Sequence, residues 1–597
     1  MRGRSGRTAL LAGLLFAQPP AAETTPLGTI AALPAAEAPA GLPFVEIEAE
    51  DAAFAGRAIG PDRTFTSLAA EASGRRAVLL AGPDDHVEFT LPAPANAVIV
   101  RAAIPDGPGG EGRDAALAVH VGEERIGTLA VTSRYGWFYG RYPFTNNPSD
   151  GAAHHFYDET RLLLGRTLPA GTQIRLSIDQ AAPVPWTVVD LADFELVAPP
   201  ATAPADALSI LAFGADPFGA RDSSTALAQA IAQARRRGVP VWIPPGTFRI
   251  DRQIIVDRVT IAGAGLWHSV LRGNGVGLYG RKAPRGSRRV VLRDFAILGE
   301  VKERVDALQR AGVGGSLGEG SELRNLWLQH HKVGVWLDGP LRSLAIRGLR
   351  ILDNTADGLN LRRGVSDAVV EGNFVRNSGD DGLAAWSHRE ANHNLAYRDN
   401  VVVAPVLANG IAIYGGRDIS VTGNVVADSV TQGGGIHLGN RFDAVPLSGT
   451  ITIADNLIVR GGSFDPNWRF GVGALWLYAL DAPIRASIRL RNMRIVDSTL
   501  PALQFIGQRI EGVQAENVHI TGAAGHALQL QSPGAASFQD VAAVGVRGAG
   551  ILACGDGFKP IDAGGNSGWT EKAVSPDQAL PLAPGLPRDC REQSLGQ

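Results

Sequence analysis

Cysteine is nearly missing from this chain. Its 597 residues hold only Cys554 and Cys590, both near the C-terminus, so no disulfide framework organises the fold; one disulfide pinning the tail and two free thiols both stay open. An excess of one charge is missing as well. Lys+Arg 56 against Asp+Glu 59 leaves a formal charge of −3, and no basic run is long enough to track a phosphate backbone, which argues against nucleic acid as a partner. Long apolar runs are absent too: no segment approaches the roughly 20 apolar residues that a membrane helix needs, so no membrane partner is expected. Aromatics make up 6% of the residues while glycine reaches 73, a balance that suits a chain with many tight turns. The length exceeds what one core serves, so two or more domains are expected.

The N-terminus, MRGRSGRTALLAGLLFAQPPAA, sets Arg2, Arg4 and Arg7 ahead of an apolar run from Ala9 to Ala17. This is the layout of a secretory signal peptide over residues 1–22; a buried helix is the alternative. Export follows, extracellular or periplasmic, with a Pro/Ala-rich spacer over 23–42 and a monomer as the expected mature form.

Residues 43–197 alternate short apolar and polar runs, as in FVEIEAED at 44–51, NAVIVRAAI at 96–104, QIRLSID at 173–179 and WTVVDLADFELV at 186–197. Such strands without a helix predict an all-β sandwich. Its opening IEAED and closing DLADFEL resemble the first and last strands of family 6 and family 35 carbohydrate-binding modules. That resemblance implies a structural Ca²⁺ on Glu48, Glu50 and Asp193, hard oxygen ligands suited to the ion; solvated strand-edge acids are the alternative. Tyr135, Trp137, Phe138, Tyr139 and Tyr142 form an aromatic cluster, read as packing in preference to a sugar platform.

A linker over 198–207 leads to ARDSSTALAQAIAQARRRGVPVWIPPG. Asp222 or Ser223 can cap a helix with Leu227, Ile231 and Ala234 on one face and Arg235–Arg237 before Gly238 at its end. This entry resembles the N-terminal cap of pectate-lyase-like β-helix proteins. After Ile250 the chain repeats. A marker of small, apolar, variable, apolar recurs as GVWL at 334–337, GLNL at 358–361, GLAA at 382–385, GIAI at 410–413, GIHL at 435–438, ALWL at 474–477, ALQF at 502–505, ALQL at 527–530 and GILA at 550–553. Asn373, Asn400, Asn424, Asn456, Asn492 and Asn517 run in parallel, a residue that tolerates left-handed corners and bonds to copies of itself. The fold class is all-β: a right-handed parallel β-helix over 208–560, behind the sandwich and followed by a tail over 561–597.

Two phrases inside this repeat carry chemistry. Ala-Asp-Gly-Leu at 356–359 and Asp-Asp-Gly-Leu at 380–383 put Asp357 and Asp381 24 residues apart, one coil, so the two stack about 4.8 Å apart with Asp380 beside them. Three carboxylates that close raise one another's pKa and suit general acid/base work. Marker residues with odd phase face away from the core: Asn360, Ala384, Ala412, His437 and Trp476 in one row, with Arg362, Trp386, Tyr414, Gly439 and Tyr478 beside it. These rows predict an open groove for a sugar chain. The 38-residue excursion between the 435 and 474 markers is expected to rise as a wall that offers Arg441 and Trp468.

The phrases TADGLNLRRGVSDAVVEGNFVRNSGDDGLAAWS, PVLANGIAIYGG, TQGGGIHLGNRF and DPNWRFGVGALWLY resemble glycoside hydrolase family 87, the α-1,3-glucanases and mycodextranases. The resemblance implies that Asp357, Asp380 and Asp381 are catalytic. It implies, by likeness to polygalacturonase-type hydrolases, that Asp380 is the acid while Asp357 and Asp381 activate water with inversion, without a cofactor. Carboxylates stacked about 5 Å apart fit retention better than inversion; the resemblance is followed here. Mixed-linkage glucan is an alternative substrate. A polysaccharide lyase with Arg362 or Arg363 as base, and a non-catalytic glycan-binding solenoid, are the rival classes.

Overall fold

A computed structural model describes residues 42–142, 144–466, 470–548, 550–554 and 557–568. The expected signal peptide, all of the spacer but Leu42, Trp468, Cys590 and the tail beyond 568 lie outside them. Cys554 is disulfide-bonded, which removes the two-thiol reading.

The N-terminal region folds as predicted into two antiparallel sheets. One contains Arg57–Ile59, Ala77–Leu80, Thr187–Glu195, Ala95–Ala103 and Asp158–Leu168, with Phe44–Glu48 also on Thr187–Glu195; the other contains Ala53–Ala55, His86–Thr90, Gln173–Ile178, Asp114–Val121 and Glu124–Thr132. Alternation puts Val87, Phe89, Val98, Val100, Leu117, Leu176 and Phe194 between the sheets. First and last strands pair directly, Glu46 opposite Asp193.

The helix Ser224–Arg237 covers the open end of the solenoid core with Leu227, Ile231 and Ala234 buried. Asp222 does the capping, accepting from Ser224 N at 3.0 Å, whereas the Ser223 hydroxyl accepts from Asp216 N. Behind it the chain coils as a parallel β-helix. All nine markers are consecutive strands of one 12-stranded sheet, from Val333–Asp338 to Ile551–Ala553, and three unmarked strands precede them. One apolar core runs from Ile210 to Ala543. Glycine opens the marker for a steric reason: a Cβ on Gly382 would lie 2.3 Å from Val402 Cγ1 and 2.7 Å from Gly410 O.

The asparagine row is real but splits in two. Asn373, Asn400, Asn424 and Asn456 are buried, each side-chain amide donating to the next side-chain oxygen at 2.8–2.9 Å. The left-handed corner belongs to the residue before each, Gly372, Asp399, Gly423 and Asp455. At Asn492 and Asn517 the phase slips by one: these asparagines take the left-handed conformation themselves and are exposed. Met493 then occupies the ladder position, its sulfur 3.6 Å from Asn456 Nδ2.

The two domains share buried contacts. Arg376 of the solenoid, fully buried, meets Glu46, Glu159 and Asp193 of the sandwich at 2.7 Å each. Phe44, Ala97 and Ile99 pack with Trp327, Phe374 and Val401, and His330 sits 2.6 Å from Asp158 under a stacked Tyr135. The aromatic cluster is packing as predicted for Phe138 and Tyr139, both buried; Tyr142 is the exception at 54% exposed.

Candidate active site

Stacked coils bring the three aspartates together. Gly358 N donates to Asp381 O and Gly382 N to Asn409 O, so Asp357, Asp381 and Asn409 form one row at the entry of three successive strands. Carboxylate oxygens of Asp357, Asp380 and Asp381 converge within 4.8 Å of one another. Asp357 Oδ2 accepts from Asn360 Nδ2 at 2.8 Å. Asp381 is buried and accepts three hydrogen bonds, from Asn409 N and Nδ2 at 2.9 Å each and from the Tyr414 hydroxyl at 2.8 Å. Asp380 is the more open of the adjacent pair; it accepts from Asp381 N at 3.0 Å and pairs with the Arg304 guanidinium.

Burial, then the charge of Asp380, pushes Asp381 up to about 7 against its three donors. Burial and the charges of Asp380 and Asp381 raise Asp357 well above the usual carboxylate range. Two carboxyls that hold a proton more tightly than free acids thus sit beside a third, more open one, the combination that general acid/base chemistry uses.

The predicted open groove needs correction. Strand register aligns Asn360, Ala384, Ala412, His437 and Trp476 as expected, but the row is covered, with His437 at 0% and Trp476 at 1% exposure. His437 stacks on Trp476 at 3.9 Å and meets Tyr414 at 5.3 Å. Arg441 and Phe442 fold over this layer: Phe442 lies 5.3 Å from Tyr414, and the Arg441 guanidinium lies 4.0 Å from Phe442 and 5.2 Å from Tyr478. Trp476 Nε1 donates to Asn409 Oδ1 at 2.8 Å, so the buried aromatics brace Asp381 instead of stacking on sugar. The neighbouring row stays accessible at Trp386 and Tyr478, with Trp386 Nε1 held by Phe442 O. Neither lyase candidate is free: Arg362 is 3.0 Å from Asp338 and 2.7 Å from His388 Nδ1, and Arg363 donates to Gly339 O.

A model of the α-1,3-glucanase catalytic domain D1 matches residues 41–197, and one of catalytic domain D2 matches 219–532. This chain belongs to the GH87 α-1,3-glucanase family. It is similar to the catalytic unit of a thermostable GH87 α-1,3-glucanase from Streptomyces thermodiastaticus strain HF3-3, with 41% identity over 89% of this chain and 98% of that one and a TM-score of 0.82. GH87 catalytic domains solved with nigerose (25% identity, 88% of this chain, 99% of that one, TM-score 0.78) and, as an Asp→Ala variant, with tetrasaccharides (25%, 89% and 100%, TM-score 0.79) are also similar. No curated protein matches. The chain is thus a glycoside hydrolase of the α-1,3-glucan-cleaving type.

For this GH87 hydrolase, sequence reasoning missed Asn409, Arg304 and Lys332, and it read Tyr142 as packing. Asn409 had a signal, since it precedes the GIAI marker where Asp357 and Asp381 precede theirs. Arg304 and Lys332 had none. Lys332 donates to Val305 O and Asp306 O at 3.1 and 3.0 Å and so pins the segment carrying Arg304; burial lowers it to about 8. The residues of the expected Ca²⁺ set are engaged unequally. Asp193 Oδ2 is taken by Arg376, and Glu48, Glu50 and Asp193 are not among the converging ligand groups of the described residues. Glu48 Oε2 and Glu50 Oε2 remain buried without a hydrogen-bond partner; burial, then the charge of Asp190, raises Glu48 and pushes Glu50 up to about 8.

Proposed function

We propose that a single exported chain hydrolyses internal α-1,3-glucosidic bonds of α-1,3-glucan with inversion, Asp380 donating the proton and Asp357 and Asp381 activating water. The convergence of three carboxylates within 4.8 Å carries this reading. At rest Arg304 sits on Asp380, and the proton resides on Asp357 or Asp381. A glucan whose hydroxyls draw the Arg304 guanidinium away from Asp380 lets the proton pass to Asp380. Asp380 then protonates the departing glycosidic oxygen as water attacks C1, and the water's proton returns to the Asp357/Asp381 pair. Two carboxylates backing one water leave no need for a covalent intermediate, although the short separation is nearer to that of retaining enzymes. The relatives' complexes with nigerose and tetrasaccharides support the substrate. Internal attack fits a marker sheet that continues on both sides of the aspartates. In the sandwich, the orphaned oxygens of Glu48 and Glu50 suit a structural Ca²⁺; Asp193 Oδ1 is orphaned as well, while its Oδ2 is held by Arg376.

The test is reducing-sugar release from insoluble α-1,3-glucan by the mature protein and by Asp380→Asn. Asn keeps the shape but supplies no proton, and the rate is expected to fall by about 10²–10⁴-fold. Equal release by both would remove Asp380 from the mechanism. Proton NMR of the first product reports stereochemistry, with a β-anomer expected for inversion.

A further inference from the structure

We propose that the β-sandwich completes the catalytic cleft with a glucosyl-binding subsite, in which Tyr142 is the stacking platform and Arg304 the polar wall. The inference rests on the catalytic reading of the three aspartates and adds a residue from the other domain.

Tyr142 lies in a segment that leaves the sandwich between the paired strands Trp137–Phe138 and His154–His155. The base of this segment is anchored on the solenoid: Phe138, Phe144 and Phe156 pack with Val406, Leu407 and Val430, just ahead of Asn409. Asn146 Nδ2 donates to Lys302 O at 2.7 Å, which ties the segment to the one carrying Arg304. Between these two ties Tyr142 stands on Phe144, ring edge to ring face at 6.0 Å, with the Arg304 guanidinium 5.8 Å from its ring centroid. Partial burial and the charge of Asp380, then those of Asp306 and Asp357, raise its phenol above the ordinary value, so the ring is within electrostatic reach of the catalytic group.

An exposed tyrosine by itself means little. This one is held from two sides, over half its surface is open, and Arg304 bridges it to Asp380. The occupant is an uncharged sugar ring: its C–H face suits the ring, its hydroxyls suit Arg304 and Asp306, and a uronate or phosphate would meet three aspartates. The His437–Trp476 row is covered, and of the accessible aromatics Tyr142 is the one that Arg304 links to Asp380.

The experiment uses the full mature chain. Binding of an α-1,3-linked glucotetraose to Asp380→Asn is measured by calorimetry, with and without Tyr142→Ala or Tyr142→Phe, and kcat and KM are measured for the same Tyr142 variants in the active enzyme. Tyr142→Ala is expected to weaken binding and raise KM by about tenfold, an effect of the size of one aromatic stacking contact, with kcat changed less than KM. Tyr142→Phe restores both values. Wild-type affinity in Tyr142→Ala while the wild type hydrolyses glucan overturns this inference alone. Loss in Phe as large as in Ala overturns the stacking role. A wild type that neither cleaves nor binds the glucan overturns both this inference and the proposed activity.

Discussion

Replacing Tyr414 with Phe tests how the fold tunes Asp381. The phenol donates to Asp381 Oδ2 at 2.8 Å, and the ring is buried against His437 and Phe442. Phe keeps that packing and deletes one donor that favours the ionised carboxylate. A hydrogen bond to a charged group is worth about 1.5–3 kcal/mol, and each pKa unit is about 1.36 kcal/mol. Asp381, already pushed up to about 7, should therefore rise by about 1–2 units. The charge of Asp381 also raises Asp357, so kinetics report the value of the pair. With Asp381 working as a base, the acidic limb of kcat/KM moves to higher pH by the same amount. Below the limb each unit costs about tenfold, so at pH 6 the variant keeps about a tenth to a hundredth of wild-type kcat/KM, while above the shifted limb the two converge. The assay is hydrolysis of a soluble α-1,3-linked oligosaccharide from pH 4 to pH 10. Superimposed profiles, or a shift to lower pH, would refute the assignment of Asp381 as a base tuned by Tyr414.

Two predictions concern the interface and the sandwich. Arg376→Met leaves Glu46, Glu159 and Asp193 buried without their cation, at a cost of about 3–5 kcal/mol. Asp193 is already raised by burial against the pull of Arg376, and losing Arg376 raises it further; an acid raised by folding stabilises below its unfolded pKa and loses that stability as pH rises through the folded one. Thermal melts should show a deficit that grows from pH 4 to pH 7; a flat deficit refutes it. Adding Ca²⁺ at a hundredfold excess over Kd should stabilise the chain by about 2.7 kcal/mol, a chelator should reverse this, and Glu50→Gln should abolish the response. A melt that ignores Ca²⁺ refutes the site.

Local periodicity made part of this legible. Asp357, Asp380 and Asp381 were found because one coil returns the chain to the same place, and the nine markers became nine neighbouring strands for the same reason. What covers a row is not periodic: Arg441 and Phe442 fold back from an irregular stretch, so His437 and Trp476 look outward by phase and are buried by their neighbours. Asp193 was expected as a metal ligand from the resemblance to carbohydrate-binding modules, which could not reveal its partner Arg376, 183 positions away in another domain. Arg304 was invisible for that reason too, in an unmarked loop, and Tyr142 stood out only as one of five clustered aromatics in the sandwich.

The one-residue slip at Asn492 bears on how the coils descend from one another. An alignment of repeats that matches asparagine to asparagine sets Asn492 against Asn456 and turns every later side chain inside out, because strand faces alternate. The hydrogen-bonded register sets Arg494 against Leu457, and hence Met493 against Asn456. Duplicating or deleting a coil by recombination keeps the core intact when the crossover points are matched by this hydrogen-bonded register and not by asparagine. Matched in that way, Asn492 descends from the corner position of Asp455, and Met493 from the ladder position of Asn456.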